Sequence, residues 1–187
     1  MSTAFATGAP LLTAEQFAQR PDPGYPEELV RGRVVPMPMP RPRHGEICGR
    51  VVRILGNWVE EKDLGRVLSN DTGVITERDP DTVRGADISF YSYARVPRGP
   101  LPDHYLEVAP DLVVEVVSPS DRWPKVLAKV AEYLDAGTSA VLVLDDSRRV
   151  AHLYRADGAT LLLGVADELT VPEMLGDFSV RVGRLFE

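Results

Sequence analysis

Apolar positions along the chain fall into two periods. In HGEICGRVVRILGNWVEEK (44–62), Ile47, Val51, Ile54, Leu55, Trp58 and Val59 recur at three- and four-residue spacing. That pattern predicts an amphipathic helix opened by His44, with Gly65 just past its end. A second helix is expected after PDLVVEVVSPSD (110–121). Ser120 or Asp121 would cap it, Pro124 falls in its first turn, Val126, Val130 and Leu134 form its stripe, and Gly137 ends it. A short helix is predicted in TAEQFAQR (13–20), where Thr13 and Gln16 have capping-box spacing.

The other apolar runs are short and β-rich. ELVRGRVVPM (28–37) reads as a hairpin around Arg31-Gly32, and RVLSNDTGVITER as two short strands around a turn at Asn70-Asp71. GADISFY (85–91), LVVEVVS and SAVLVLDD (139–146) read as strands. RRVAHLYR and ATLLLG read as a hairpin joined at Asp157-Gly158. Residues 92–109 form a long loop, and residues 1–10 read as a disordered N-terminal tail. No repeat or linker divides the rest of the chain, so residues 11–187 are expected to form one α/β (α+β) domain around a single sheet.

Composition narrows the function. The 187 residues suit one core, and no apolar stretch approaches a membrane span, so no membrane partner is expected. The N-terminus lacks a secretion signal, and the single cysteine, Cys48, forms no internal disulfide. Both fit a reducing cytoplasm, with Cys48 read as a small apolar residue. A net charge of −7 argues against a large sequence-independent DNA-binding surface. RGRVVPMPMPRPRH, with Arg41 and Arg43 and with Arg50 beyond it, is locally basic; it reads as a solvated loop or as a nucleic-acid contact.

Glu115 is the anomaly. It interrupts an apolar run that reads as a central strand covered on both faces. A buried carboxylate needs a cation, a metal ion or water. Asp87 lies in the strand GADISFY, and Lys129 lies on the helix that leaves Glu115's strand, one turn from Lys125. Two carboxylates on adjacent strands, a backbone carbonyl such as that of Val116, and waters are the ligands of a hard cation such as Mg²⁺. A hydrogen-bonded Glu115 at the strand's rim and a plain Glu115–Lys129 salt bridge are the structural alternatives. Ser118 and Ser120 have no nucleophile-elbow pattern, His104 and His152 read as surface or strand residues, Asp145-Asp146 as solvated turn chemistry, and Trp58 and Trp123 as packing residues.

Five separated stretches then point one way: YPEELVRGRVV (25–35), HGEI (44–47), RGADISFY (84–91), PDLVVEVVSPSD (110–121) and KVAEYLDAGTSAVLVLD (129–145). In that order they resemble the Uma-two family of restriction endonucleases, a branch of the PD-(D/E)XK nuclease superfamily found in bacteria. The resemblance implies a restriction-endonuclease-like core, a central mixed sheet flanked by helices, with a Mg²⁺- or Mn²⁺-dependent phosphodiesterase site. It implies that Asp87 and Glu115 are the metal carboxylates and that Lys129 is the catalytic lysine, because Val117 stands where the superfamily usually has lysine. Alanine precedes Asp87 where the family usually has proline. Glu28, His44 and Lys125 are accessory candidates. The implied partner is nucleic acid, most readily DNA, whose two strands suit a homodimer. A nuclease fold serving as a non-catalytic binding or regulatory module is the alternative, and the acidic charge favours it.

Overall fold

The computed structural model describes residues 10–118 and 121–187. Most of the expected N-terminal tail, and Ser120 as a helix cap, therefore lie outside the described residues. In chain order the elements are α1 (Ala14–Ala18), β1 (Glu27–Val30), β2 (Arg33–Pro36), α2 (Pro42–Glu61), β3 (Gly65–Glu77), β4 (Thr82–Ser92), β5 (Leu112–Val117), α3 (Trp123–Asp135), β6 (Ala140–Asp145), β7 (Val150–Arg155), β8 (Thr160–Gly164), β9 (Glu168–Thr170), α4 (Pro172–Leu175), β10 (Ser179–Arg181) and a 3₁₀ turn, Val182–Leu185. Eight strands form a mixed sheet in the order β2-β1-β4-β5-β6-β7-β8, with β3 also on β4; β9 and β10 pair separately. Among the described strands only β5 and β6 run parallel, and α3 is their crossover, as parallel neighbours require.

Helices cover both faces. On one side Ile47, Val51, Leu55 and Val59 of α2 pack over Ile88, Phe90, Val114 and Val116. On the other, Val130 and Tyr133 of α3 pack over Val113, Val141 and Val143. Alternation along β5 therefore feeds both layers and leaves Glu115, which has the parity of Val113, on the α3 side. The Thr13 capping box of α1 is formed, and the hairpin turn at Arg31-Gly32 has both residues at positive φ.

Three local expectations need correction. The RVLSNDTGVITER stretch is one strand, not two around a turn. Asn70 and Asp71 adopt φ of 67° and 53°, yet pairing with β4 resumes, from Ser69↔Ile88 to Thr72↔Ala86. Two residues thus stand opposite one, Asp87, in a bulge; short polar side chains tolerate that left-handed backbone, so the pair bends the strand without reversing it. Helix α2 begins at Pro42, two residues before His44, because proline fits a helix's first turn. Helix α3 starts after Arg122 with no side-chain cap; the Asp121 carboxylate instead accepts from the Ser118 amide at 2.7 Å.

One topological feature positions the site. Strand β3 occupies one edge of β4 along both halves. The opposite edge is shared: β1 pairs at Val83, and β5 at Ile88, Ser89 and Phe90. Between those contacts residues 84–87 face a gap in the ladder. The strand also turns over there, since Ala86 packs in the α3 layer and Ile88 in the α2 layer, although strict alternation would put both on one side.

The close fit of β3 against β4 is testable through glycine. A Cβ at Gly65 would run into the Tyr91 carbonyl oxygen, whereas one at Gly56, inside α2, meets nothing within 4 Å. Gly65→Ala is expected to cost about 2–4 kcal/mol, and Gly56→Ala to gain up to about 1 kcal/mol through helix propensity. Denaturant midpoints moving in opposite directions for the two variants would bear this out; equal midpoints would contradict it.

Candidate active site

Carboxylates fill the gap along β4. Its exposed backbone donors and those of β5 have no strand partner there, and such groups must still be satisfied. The Gly85 amide donates to Glu28 Oε1 at 3.2 Å, and the Val116 amide to Asp87 Oδ2 at 2.6 Å. Side chains thus replace a missing strand. Glu28 comes from β1, beside the residue that pairs Val83, and Glu115 from β5, beside the residue that pairs Ile88. The result is a cleft of about 380 Å³ whose walls include Glu28, His44, Asp71, Asp87, Glu115 and Lys129.

Helix α3 closes one side. The Tyr133 hydroxyl, fully buried, donates to Glu115 Oε1 at 2.8 Å. Lys129 Nζ lies 2.8 Å from Glu28 Oε1 and 3.8 Å from Glu115 Oε2. Arg84 bridges Glu28 at 2.8 Å and Glu132 at 2.5 Å. From the α2 side, His44 Nε2 approaches Asp87 Oδ2 at 3.2 Å, and His44 Nδ1 approaches Cys48 Sγ at 3.5 Å. Cys48 packs against the core under α2, as a small apolar residue does, and its sulfur also faces His44, four positions away on the same side of the helix.

The distances weigh against a plain Glu115–Lys129 salt bridge. Lys129 has its short contact with Glu28, so Glu115 is not needed to pair the ammonium. Nor does Glu115 sit at a solvated rim: its side chain is only 12% exposed. Burial pushes its carboxyl up to about 8; Lys129 opposes that rise, and the Asp87 charge adds to it. Burial works against the Lys129 charge as well, but Glu115 and Glu28 outweigh it and hold the amine as an ammonium. His44 is raised to about 10, first by its hydrogen bond to Asp87 and second by Cys48. Acidic groups thus crowd one small volume, and at neutral pH a proton on Glu115 relieves part of their repulsion. Two carboxylates that converge on an open cleft, one of them short of countercharge, fit a hard divalent cation, which favours oxygen donors.

The remaining predicted residues divide. Glu28, His44, Asp87, Glu115, Val116 and Lys129 all line the cleft. Lys125 is exposed and does not line it, because it lies one turn nearer the start of α3, beyond the gap. Among the basic residues before α2, Arg41 lines the cleft, while Arg43 is bound to Asp146 at 2.8 Å and to the Phe186 carbonyl at 2.6 Å. Asp145 is buried and accepts from Ser147 and from the Arg148 amide, so Asp145-Asp146 is not a solvated turn. Trp123 packs edge-on to His152.

Asp71 is the cleft residue that sequence reasoning missed. The bulge swings it over Gly85, where a Cβ would meet the Asp71 Cβ at 3.0 Å. Desolvation, and then the Asp87 charge, push its carboxyl upward. Only the bulge brings it there, and the Asn-Asp pair that makes the bulge reads in sequence as a turn.

Comparisons with known proteins agree with this architecture. The chain belongs to the Uma2 family, described as "Putative restriction endonuclease", whose model matches residues 14–183. Among solved structures it is similar to a protein from Anabaena variabilis ATCC 29413 described as a putative nuclease belonging to DUF820. The TM-score is 0.81 at 23% identity, over 94% of this chain and 97% of that one. At that identity the likeness establishes the fold. No curated protein matches the chain in sequence.

The crowding of acids makes a prediction about pH. Glu115 binds its proton more tightly folded (about 8) than in its ordinary range (4.5). Its contribution is complete below 4.5 and is lost as pH rises through 8. His44, raised from 6.5 to about 10, loses its contribution over that higher window. Each proton gives a slope of up to about 1.4 kcal/mol per pH unit. Without divalent ions the melting temperature is therefore expected to fall from pH 5 to pH 8, and Glu115→Gln to flatten that limb while leaving the fall at higher pH. Parallel curves for wild type and variant would contradict the assignment.

Proposed function

We propose that this protein is a Mg²⁺- or Mn²⁺-dependent endonuclease that hydrolyses phosphodiester bonds of DNA in the cleft between β1 and β5. The observation that carries the reading is Glu115: a buried carboxylate on a central strand, short of countercharge and held by Tyr133 beside Asp87, with an ammonium at 3.8 Å. Membership of the Uma2 family supports it.

Asp87 and Glu115 would hold the ion, with the Val116 carbonyl as an oxygen donor from the same strand. When bound, such an ion supplies Lewis-acid polarisation of a phosphate oxygen and a water of lowered pKa. The protein's own groups do the rest. The Val116 amide and His44 fix one oxygen of Asp87, and Tyr133 fixes one oxygen of Glu115. Lys129 stays an ammonium, so it donates hydrogen bonds and takes no proton. It orients the attacking water and offsets charge on the phosphate, with Glu28 as its positioning residue. Hydrolysis adds the water's oxygen to phosphorus and breaks one P–O bond, and the leaving oxygen gains a proton. The β2–α2 segment, where Met39 is 69% exposed and Arg41 stands at the cleft wall, offers a basic, apolar-edged approach for the nucleic acid. That local approach reconciles DNA as substrate with a net charge of −7.

Plasmid cleavage tests the reading. Asp87→Asn, Glu115→Gln and Lys129→Met are each expected to lower the Mg²⁺-dependent rate by about a hundredfold or more, the scale of losing a charge-stabilising group. Lys125→Met is expected to stay within about threefold of wild type, like other changes away from a cleft. Glu115→Gln should also melt no lower than wild type at pH 8 without metal, because Lys129 keeps Glu28. Wild-type cleavage by Glu115→Gln, together with a large drop in its melting temperature, would overturn the metal site in favour of a structural role.

A further inference from the structure

We propose that His44, Cys48 and Asp87 form a second cation site, selective for a borderline-soft divalent ion of the zinc class and built around this chain's one thiol. One donor atom from each residue lies within 4.8 Å of the other two. Cys48 Sγ lies 3.5 Å from His44 Nδ1, and Asp87 Oδ2 lies 3.2 Å from His44 Nε2, so the two carry their short contacts to opposite nitrogens of the ring. An ion takes only one of these nitrogens, so it is the 4.8 Å span of the three-atom set that must close. Zinc-like bonds of about 2.0–2.3 Å place the donors of a tetrahedral ion roughly 3.3–3.6 Å apart, which a turn of the imidazole and side-chain shifts on the order of 1 Å reach.

The scaffold is suited to holding such a set. His44 and Cys48 stand one turn apart on α2, a helix of 20 residues anchored by four buried side chains. Asp87 is pinned by the Val116 amide. Cys48 is half-buried, and the side chains of His44 and Asp87 are 17% and 8% exposed, so water competes weakly for the ion. The cleft that His44 and Asp87 line leaves a position for a water or a phosphate oxygen. Thiolate and imidazole select Zn²⁺ or Co²⁺ over Mg²⁺. Binding releases the thiol proton and the proton between His44 and Asp87 to solvent.

The consequence rests on the proposed function. Asp87 belongs to both donor sets, so an ion on Cys48 and His44 draws a carboxylate from the hard-cation cleft. Zinc then acts as an inhibitor of Mg²⁺-dependent cleavage, and Cys48 is the residue that makes the cleft zinc-sensitive.

Co²⁺ is the probe, titrated into the metal-free full chain and followed by absorption. A sulfur-to-cobalt charge-transfer band can arise only at Cys48, because the chain has a single cysteine. The expected result is one ion per chain with that band, displaced by Zn²⁺ and not by excess Mg²⁺. The band should vanish in Cys48→Ser and Cys48→Ala, which keep the wild-type melting temperature. Affinity should fall at least about tenfold in His44→Gln, as on loss of a ligand contact, and persist in Glu115→Gln. No band in wild type, or unchanged affinity in His44→Gln, overturns the site. Cleavage in Mg²⁺ by Cys48→Ser that resists zinc supports the shared-carboxylate consequence, and equal zinc sensitivity overturns it. Neither result bears on whether Glu115 is needed for cleavage, so the two readings fail separately.

Discussion

A gap in one hydrogen-bonded ladder governs the rest of this molecule. Strand β4 gives one edge wholly to β3 and divides the other between β1 and β5. Backbone amides of β4 and β5 that face that gap would be left unsatisfied in the interior, at a cost of about 1–3 kcal/mol each. Carboxylates meet that need at Gly85 and Val116. The same requirement that stabilises the fold therefore gathers acids at the centre of an otherwise apolar sheet.

The gathering creates its own electrostatic problem. Glu28, Asp71, Asp87 and Glu115 face one cleft against Lys129, His44 and Arg84. Arg84 also serves Glu132, and Lys129 sits nearer Glu28 than Glu115. Glu115 is left with a tyrosine and a distant ammonium, and burial pushes its carboxyl well above the ordinary carboxylate range. Like charges in a shared low-dielectric site raise one another's pKa, and a divalent cation relieves such a site more fully than a proton does. Stability and proposed activity thus pull on the same carboxylate in opposite directions: its burial favours the protonated form, whereas ion binding needs it charged.

Much of this is legible in the sequence, for identifiable reasons. Helical and alternating periods place α2, β5, α3 and β6, because burial on two faces demands continuous apolar runs. Glu115 stands out because it breaks such a run, and Lys129 because it follows on the next helix. Asp71 is hidden: Asn-Asp favours positive φ in turns and bulges alike, and only the partner strand decides between them. Glu28's contact with Lys129 is hidden too, since it depends on β1 and β5 sharing one edge of β4. Composition makes Cys48 a small apolar residue, and it does pack against the core; its spacing from His44 also places both on one side of α2. Lys125 is a reasonable substitute by spacing, but its turn of α3 falls short of the gap.

Diffraction decides whether the β4 gap is a cation site. Crystals of the chain grown with Mn²⁺, measured near the manganese absorption edge, should give an anomalous peak within coordination distance of carboxylate oxygens from both Asp87 and Glu115, at about 2.0–2.6 Å for such hard cations. A cleft with no peak at saturating Mn²⁺, with Glu115 still bound to Tyr133 and close to Lys129, would show that the gap holds no cation.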